Sequence, residues 1–266
     1  MCKRNLMDSL AEIAGRIDRT GKILLALDFD GTLAPIRSRP EEAVLDETVR
    51  TLLAELAQSS RVVVMIASGR SLEDVRTRVG LPQLIYSGNH GLEIQGRGLE
   101  FVEPAARATA GPLREICRRA QELLAPVPGV VLEGKGLTAS VHYRTAPPGQ
   151  WDEIARVARE MVALDPDRFV LSNGHRVWEI RPRVSWHKGS AVNWVARALK
   201  DPLPRLVIYL GDDRTDEDAF ASLPDGITVK VGDGPLTRAG FQLEDPAAVE
   251  QFLTWLVEKL APADQR

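Results

Sequence analysis

The chain has 266 residues, of which 44% are hydrophobic and 27% charged, a composition typical of globular proteins. A formal net charge of -3 offers no basic surface, so we expect neither nucleic acid nor an anionic membrane as a partner. The two cysteines, Cys2 and Cys117, are distant in sequence, which argues against a disulfide framework or a zinc site and fits a reducing cytoplasm. No window approaches the ~20 apolar residues of a membrane span. We therefore expect a cytoplasmic protein, and a monomer.

Short apolar runs alternate with helical patterns in the two outer parts of the chain. In chain order these patterns predict a strand at Ile23–Leu27, a helix at Asp46–Gln58, a strand at Arg61–Ala67, a helix at Ser71–Val79, a strand at Leu84–Tyr86, a helix at Lys188–Leu199, a strand at Leu206–Leu210, a helix at Glu217–Ser222, a strand at Gly226–Val231 and a helix at Asp245–Leu260. Strand–helix alternation predicts an α/β, Rossmann-like core, a parallel sheet with helices on both faces.

The middle of the chain has a different order of elements. It predicts helices at Gly111–Leu124 and Trp151–Leu164, and strands at Val130–Leu132, Thr138–Tyr143, Phe169–Leu171 and Val177–Ile180. This hairpin-like α+β pattern predicts a second domain at 106–182, inserted into a core made of 1–105 and 183–266. The two crossings are expected near Glu103-Pro104 and Arg181-Pro182-Arg183.

Asp28 and Asp30 follow the first apolar strand directly. Side chains two residues apart point the same way, here toward the carboxyl edge where open α/β sheets bind ligands. Gly31 allows a sharp turn after them, and Thr32 offers a hydroxyl and an amide to a phosphate. Taken alone, the pair also fits an ordinary solvated turn at a strand end.

A run of acidic residues follows the strand at Leu206–Leu210. Five carboxylates lie within the seven residues 212–218, and mutual repulsion of this kind favours a hard cation held by oxygen ligands. The alternative is a helix N-terminus, whose dipole attracts acidic side chains. That alternative covers Asp216 to Asp218 but not Asp212 and Asp213, which stand at the strand end.

Two further strand-end and helix-start groups have charge or polarity suited to an anion. Ser68, with Gly69 and Arg70, ends the second strand, where a hydroxyl and backbone amides can bind an anion or simply cap a helix. Lys188 opens a helix and is either a phosphate counter-charge or a surface lysine.

Together these four segments resemble, in order and spacing, the four motifs of the haloacid dehalogenase superfamily phosphatases. The resemblance implies that Asp28 attacks phosphorus and becomes an aspartyl-phosphate. It implies that Asp30 protonates the leaving oxygen and then activates water. Crowding by phosphate and carboxylate is expected to favour the neutral form of Asp30 for the first step. Ser68 and Lys188 would neutralise the transferring phosphoryl oxygens.

The same resemblance implies a Mg²⁺ cofactor. Its ligands would be the Asp28 carboxylate, the Asp30 backbone carbonyl and Asp212, with Asp213 or Asp216 supporting them from nearby.

Further segments narrow the resemblance to the trehalose-6-phosphate phosphatases. They are Gly88–Glu93, Glu133–Leu137, Ser140–Arg144, Glu179–Pro182 and Gly211–Phe220, and the likeness runs from about Lys22 to Leu256. It implies hydrolysis of trehalose 6-phosphate to trehalose and phosphate, the final step of trehalose biosynthesis, with the inserted domain acting as a substrate-specificity cap. The residues expected to bind substrate are Gly31, Thr32, Arg70, Asn89, His90, Glu133, Lys135, Arg144, Glu179 and Arg181.

Several alternatives remain at this stage. Glu133 and Lys135 also fit a hairpin turn, Glu179 and Arg181 fit an exposed strand pair, and His142, alternating with its neighbours, fits a core position. The substrate could be another sugar phosphate, such as sucrose 6-phosphate or mannosyl-3-phosphoglycerate. A phosphomutase would also form an aspartyl-phosphate, and a non-catalytic sugar-phosphate-binding regulator would need no nucleophile.

Overall fold

The computed structural model describes residues 4–37, 39–174, 176–200, 205–234 and 236–261; Cys2 lies outside these ranges. The chain divides into two compact units. Unit 1 contains the chain up to Phe101 and from Trp186 onward, and unit 2 contains Val102–Ser185. The sequence pattern set the ends of the inserted part at 106 and 182, a few residues inside these limits. Within the described ranges, no helix is both long and apolar enough to span a bilayer.

Unit 1 is built on one large sheet. Its strands are β1 (Arg4–Asn5), β2 (Lys22–Leu27), β3 (Val62–Ala67), β4 (Ile85–Gly88), β5 (Glu93–Gly96), β6 (Leu99–Val102), β11 (Arg205–Gly211), β12 (Ile227–Val231) and β13 (Phe241–Leu243). They lie in the order β1-β13-β12-β11-β2-β3-β4-β5-β6. In this order, neighbouring strands pair in parallel from β1 through β13, β12, β11, β2 and β3 to β4. Strand β5 then pairs antiparallel with β4.

Helices cover both faces of this sheet, as predicted. They are α1 (Leu10–Thr20), α2 (Glu47–Gln58), α3 (Leu72–Val79), α6 (Lys188–Ala198), α7 (Arg214–Ser222) and α8 (Pro246–Leu260). One buried cluster joins Leu25 and Leu27 of β2 to side chains of α1, α2 and α8, and a second joins Leu24 and Ala26 to α6 and α7. Successive residues of β2 therefore face opposite layers, and the strand is apolar throughout because both layers are buried.

Unit 2 is a four-stranded antiparallel sheet with two helices. Its elements are α4 (Pro104–Leu124), β7 (Val131–Gly134), β8 (Ala139–His142), α5 (Trp151–Ala163), β9 (Phe169–Gly174) and β10 (Val177–Pro182). The strand order is β7-β8-β10-β9. Val141, Ile180 and Phe169 are buried in one cluster with apolar residues of both helices. The helices therefore cover one face of the sheet, and the residues alternating with these three lie on the other face.

Two predicted helix starts are wrong. Helix α4 begins at Pro104, where Glu103 caps the Ala106 amide, and it continues through Pro112. Proline is favoured in the first turn of a helix, so Gly111-Pro112 gave the same signal as the true start. Helix α7 begins at Arg214 rather than Glu217, because Asp213 is its N-cap. The pattern also missed β1, α1, β5, β6 and β13, most of them short or at the edge of the sheet.

Aromatic rings lie where the chain leaves and re-enters unit 1. Phe101, the last residue before unit 2, stacks on Trp186, the first residue after it, with ring centroids 4.7 Å apart. The ring centroid of Trp194, on α6, lies 4.9 Å from that of Phe101. The Trp186 indole also donates to the Gly91 carbonyl at 2.7 Å. Both crossings are thus fixed to the same place in unit 1.

Candidate active site

The centre of the candidate site is the carboxylate of Asp28, directly after β2. Asp28 is almost completely buried, and its Oδ1 accepts from Lys188 Nζ at 2.7 Å. The same ammonium donates to Asp216 Oδ1 at 2.8 Å, and Lys188 itself is 2% exposed. Lys188 comes from the first turn of α6, which packs on this face of the sheet. Lys188 is therefore buried against two carboxylates, and the surface-lysine alternative is wrong. Its role as a phosphate counter-charge stays a prediction.

Asp212 lies at the end of the neighbouring strand β11, against the turn that follows Asp28. Gly31 has a φ of +82°, and a Cβ there would lie 2.0 Å from Asp212 Oδ2. A side chain at position 31 would therefore be strained by the backbone and would also displace this carboxylate. Only glycine allows the two strand ends to approach so closely.

Three carboxylates converge at this edge of the sheet. Oxygen atoms of Asp28, Asp212 and Asp216 all lie within 4.8 Å of one another. Among the described residues, no hydrogen-bond partner reaches the buried Oδ1 of Asp212. Asp216 is different, because both of its oxygens accept hydrogen bonds from protein donors. Asp212 and Asp28 therefore have the free coordination capacity, and Asp216 supports them.

Burial and charge act together on these groups. Burial raises the pKa of Asp28 well above its usual value; Lys188 opposes this, and Asp216 and Asp212 add to it. Burial, followed by the charge of Asp216, raises the pKa of Asp212 from 3.8 to about 7. Burial disfavours the charged form of Lys188, but Asp216 and Asp28 outweigh it, so its pKa lies above the usual value. One ammonium does not balance three clustered carboxylates.

The donor set fits a divalent cation of the magnesium type. Hard cations take carboxylate oxygens and keep several waters, so two available carboxylates at a strand edge are sufficient protein ligands. Burial and, after it, the neighbouring carboxylates raise the pKa of Asp28 and Asp212, and a bound cation would offset both effects. The repulsion and the orphaned oxygen of Asp212 are both explained by a cation at this position.

Asp213 and Asp216 form a capping box at the start of α7. The Asp213 side chain accepts from the Arg214 amide, and Asp216 Oδ2 accepts from the Asp213 amide at 2.9 Å. The expectation that a helix start does not explain Asp213 is wrong, because Asp213 is the N-cap of α7. Asp216 serves both purposes, because its second oxygen contacts Lys188.

Asp30 is bound by a guanidinium rather than crowded by carboxylates. Arg70 Nε and Nη2 donate to the two Asp30 oxygens at 2.7 and 2.6 Å, and Arg70 Nη1 donates to Asp74 at 2.7 Å. A bidentate fork of this kind stabilises a carboxylate. The structure therefore places a guanidinium, and not the expected neighbouring acids, against the Asp30 carboxylate. Arg70, predicted to bind substrate, is here engaged with Asp30 and Asp74.

Ser68 and the Asn89–Gly91 segment form one packed unit beside this pair. Ser68 is fully buried, and its Oγ accepts from the Arg70 amide at 3.1 Å. The amides of Asn89 and His90 donate to the carbonyls of Arg70 and Ser68. Asn89 and His90 have φ values of +50° and +59°, conformations that cost energy in a non-glycine residue. A Cβ at Gly69 would lie 2.5 Å from the His90 ring, so position 69 requires glycine.

The remaining predicted residues of unit 1 are buried. The Asn89 side chain donates to Glu93 Oε1 at 2.6 Å, and the hydroxyl of Thr32 is fully buried with no partner among the residues described. Asn89 therefore shapes the loop through Glu93.

Unit 2 presents a polar sheet face. The strand register places Glu133, Ser140 and Glu179 in one row, and Arg181 lies two residues further along β10 on the same side. His142 shares this side, and its Nε2 lies 2.9 Å from Glu133 Oε2. The expectation that His142 faces the core is wrong, because its neighbour Val141 occupies the core position.

Two other predicted residues of unit 2 lie next to this face. Lys135 Nζ is 3.9 Å from Glu133 Oε2, although the Lys135 side chain is only 8% exposed. Arg144 follows β8 in the next turn.

The sequence profile of the trehalose-phosphatase family matches residues 26–234 of the chain. The chain belongs to the trehalose-phosphatase family. Trehalose-phosphate phosphatase B of Arabidopsis thaliana is 33% identical over 273 residues, covering 96% of this chain and 70% of that protein. Trehalose-phosphate phosphatase of Mycobacterium marinum is 38% identical over 242 residues, covering 88% of this chain but 61% of that protein. The chain thus spans less than two thirds of the mycobacterial relative.

A solved structure of a trehalose-6-phosphate phosphatase related protein superposes on this trehalose-phosphatase family member with a TM-score of 0.77. It is 27% identical and covers 88% of this chain and 97% of the other. The family resemblance and the predicted fold class, a parallel α/β core with an α+β unit, are therefore confirmed.

Three residues of this family member contact the site without having been predicted. Tyr209 donates to Asp216, Lys230 donates to the backbone carbonyl of Asp212, and Asp74 binds Arg70. Tyr209 and Lys230 lie inside apolar strand patterns, where sequence offers no sign of a polar role. The position of Asp74, four residues after Arg70 on a helix, is the one available signal.

Proposed function

We propose that the protein is a Mg²⁺-dependent phosphoric monoester hydrolase that converts trehalose 6-phosphate to trehalose and phosphate, the final step of trehalose biosynthesis. The observation that carries this proposal is the buried Asp28 carboxylate, held against Lys188 within the three-carboxylate cluster. A carboxylate paired with an ammonium and close to two further carboxylates can act as a nucleophile and share a metal ion. The relatives are named trehalose-phosphate phosphatases, which supports the choice of substrate.

In the first half-reaction an Asp28 oxygen attacks phosphorus and the bond from phosphorus to the sugar oxygen breaks. Asp30 gives a proton to the departing sugar oxygen, so that trehalose leaves as an alcohol. Asp30 can carry that proton only when its fork with Arg70 has loosened. Lys188 and the Ser68 hydroxyl oppose the negative charge on the phosphoryl oxygens.

In the second half-reaction water attacks phosphorus and the bond from phosphorus to Asp28 breaks. Asp30, now ionised, takes the proton from the attacking water. Phosphate leaves and both aspartates return to their starting forms. The contact of Asp30 with Arg70 suits this second role, because the fork holds the ionised form in place.

The metal would be held by the Asp28 and Asp212 carboxylates and the Asp30 backbone carbonyl, with Asp216 and Asp213 in support. When bound, it supplies positive charge to the phosphoryl oxygens and to the ionised Asp28. Asp216 acts by holding Lys188, and Asp213 by beginning α7 and orienting Asp216.

The polar face of unit 2 supplies the sugar-binding groups and makes this unit the specificity cap. Glu133, Glu179 and Arg181 offer acceptors and donors on one surface, the set that vicinal sugar hydroxyls require. Lys135 and Arg144 lie beside it, and Asn89 and His90 are the sugar-binding candidates in unit 1. His142 adds a ring nitrogen that fixes Glu133.

Phosphate release across a panel of sugar phosphates tests the substrate. The panel contains trehalose 6-phosphate, sucrose 6-phosphate, mannosyl-3-phosphoglycerate and glucose 6-phosphate, each with and without Mg²⁺. We expect kcat/KM for trehalose 6-phosphate to exceed the others by about tenfold or more. A flat panel would refute the substrate, and sugar-phosphate interconversion without free phosphate would identify a phosphomutase.

The Asp28→Asn variant tests the nucleophile. It should still bind trehalose 6-phosphate but release no phosphate, whereas Asp218→Asn, the same change at an exposed position on α7, should remain active. Turnover in Asp28→Asn would contradict the covalent mechanism. Binding without turnover by the native chain would identify a regulator, and activity that survives EDTA would contradict the metal site.

We also propose that the enzyme acts in the cytoplasm as a monomer, on a small-molecule substrate and without nucleic acid or membrane as partner. The low cysteine content and the formal charge of -3 support this.

A further inference from the structure

Tyr209 is a buried hydroxyl beside the reacting groups that the proposed mechanism leaves without a role. It lies on β11 in register with Ala26 of β2, and its side chain is fully buried between the sheet and α7. Its hydroxyl donates to Asp216 Oδ1 at 2.7 Å. Phenylalanine would fill the same space, and Phe220 already packs edge-on against the ring at 5.8 Å between centroids. The hydroxyl is therefore the part of Tyr209 whose purpose packing does not explain.

The acceptor of this bond is also the anchor of Lys188. Asp216 Oδ1 receives both the Tyr209 hydroxyl and the Lys188 ammonium, and Oδ2 receives the Asp213 amide. Three donors, from β11, α6 and the N-cap of α7, hold this one carboxylate, which is itself fully buried. Lys188 then bridges from Asp216 to Asp28 with bonds of 2.8 and 2.7 Å. The hydroxyl of Tyr209 is thus three hydrogen bonds away from Asp28, through Asp216 and Lys188.

We propose that Tyr209 is a positioning residue that sets the place of the Lys188 ammonium through Asp216. This inference rests on the proposed function, since it assigns a role within the same phosphoryl transfer. Lysine has a flexible four-carbon stem, so the position of the ammonium is set by the balance between the attractions of its two carboxylate partners. Without the hydroxyl, Asp216 Oδ1 loses one donor and attracts Lys188 more strongly. The ammonium then moves away from Asp28 and from the phosphoryl group that Asp28 attacks.

Such a change affects rate rather than substrate binding. Tyr209 has no exposed surface and cannot contact the sugar, so its loss leaves the contacts of the bound ester unchanged. Lys188 matters most when charge develops on the phosphoryl oxygens, and its displacement therefore lowers kcat while KM stays nearly constant.

The chain contains a matched control on the same sheet. Tyr86 of β4 is also buried, and its hydroxyl donates to the Leu81 carbonyl at 2.7 Å. Tyr209→Phe removes a hydroxyl with one hydrogen bond, to Asp216, whereas Tyr86→Phe removes a hydroxyl that bonds both the carbonyl and the amide of Leu81. Only the bond of Tyr209 leads to the site. The test measures kcat and KM of both variants with trehalose 6-phosphate and with p-nitrophenyl phosphate, together with Tm.

We expect Tyr209→Phe to lower kcat by about tenfold on both esters, equivalent to about 1.4 kcal/mol, with KM within about twofold of the native enzyme. Tyr86→Phe should keep the kcat of the native enzyme, even though its Tm falls by about as much as that of Tyr209→Phe. Equal kcat in the two variants would overturn the inference, as would a loss confined to KM. Because p-nitrophenyl phosphate has no sugar, failure of the native enzyme on trehalose 6-phosphate would refute the proposed substrate and leave this comparison intact.

A second measurement uses the native sequence and does not depend on turnover. The chain has three tyrosines, so labelling with 3-fluorotyrosine gives three fluorine resonances. Addition of Mg²⁺ and beryllofluoride, a mimic of the phosphoryl group on Asp28, should shift the Tyr209 resonance and leave those of Tyr86 and Tyr143 in place. A Tyr209 resonance that stays unchanged while beryllofluoride binds would overturn the inference.

Discussion

Asp212 makes the stability of the metal-free protein depend on pH. Burial and the charge of Asp216 raise its pKa from 3.8 to about 7. Between these values the folded protein keeps a proton that the unfolded chain has lost, so the free energy of unfolding falls as pH rises through this window. Each tenfold difference in acidity corresponds to about 1.4 kcal/mol. Above pH 7, ionised Asp212 therefore lowers the free energy of unfolding by about 4 kcal/mol.

The Asp212→Asn variant removes this penalty together with a proposed metal ligand. In EDTA we expect it to be more stable than the native protein, with a difference that widens by about 3 kcal/mol between pH 5 and pH 8. Urea unfolding followed by circular dichroism at the two pH values measures the difference. Asp218→Asn is the control, because it makes the same change at an exposed position of the same acidic run.

The result that refutes this reasoning is a difference between Asp212→Asn and the native protein that does not change from pH 5 to pH 8. Magnesium gives a second check. At a Mg²⁺ concentration of about 100 times Kd, the native protein should gain about 2.7 kcal/mol at pH 8, because the ion binds only the folded form. Asp212→Asn should gain little from the same addition.

Three further predictions concern single side chains. Lys188→Met should lower phosphate release by about a hundredfold or more, because the nucleophile loses its cation; release within tenfold of native would contradict this. Arg70→Lys cannot donate two parallel hydrogen bonds to Asp30, so kcat should fall by about tenfold, and an unchanged kcat would show that the fork is not used. Glu133→Gln should raise KM for trehalose 6-phosphate by about tenfold without affecting p-nitrophenyl phosphate, and an equal effect on both would place Glu133 outside sugar recognition.

The sequence was informative where side chains lie at the ends of parallel strands. Asp28 and Asp212 end neighbouring strands, and parallel pairing brings such ends to one edge whatever the rest of the chain does. Lys188 was predictable only together with them, because its direction depends on how α6 packs. The helix starts at Asp46 and Ser71 needed no tertiary information, because each of these residues caps its helix through a local hydrogen bond.

The sequence was uninformative where one residue type serves two purposes. Tyr209 reads as an apolar strand residue, and only the position of α7 shows that its hydroxyl meets a carboxylate. Asp213 was assigned to the metal site because it follows a strand, although it caps a helix. Arg70 was assigned to substrate, and its fork with Asp30 depends on how far apart two loops lie. The contact of Arg70 with Asp30 joins segments that are 40 residues apart, and periodicity carries no information about any of these contacts.

The stacking of Phe101 on Trp186 has a consequence for how this protein can be altered and how it could have arisen. The two rings are 4.7 Å apart, so the chain leaves unit 1 and returns to it at nearly the same point. An insertion with adjacent ends does not disturb the sheet it interrupts, and whole domains are tolerated at such places. Residues 102–185 are therefore exchangeable as a block: a short loop, or the cap of a relative with another sugar preference, can join the same two positions. With the sugar-binding groups proposed above for unit 2, such an exchange is a route to another substrate that leaves Asp28, Asp212 and Lys188 of unit 1 in place.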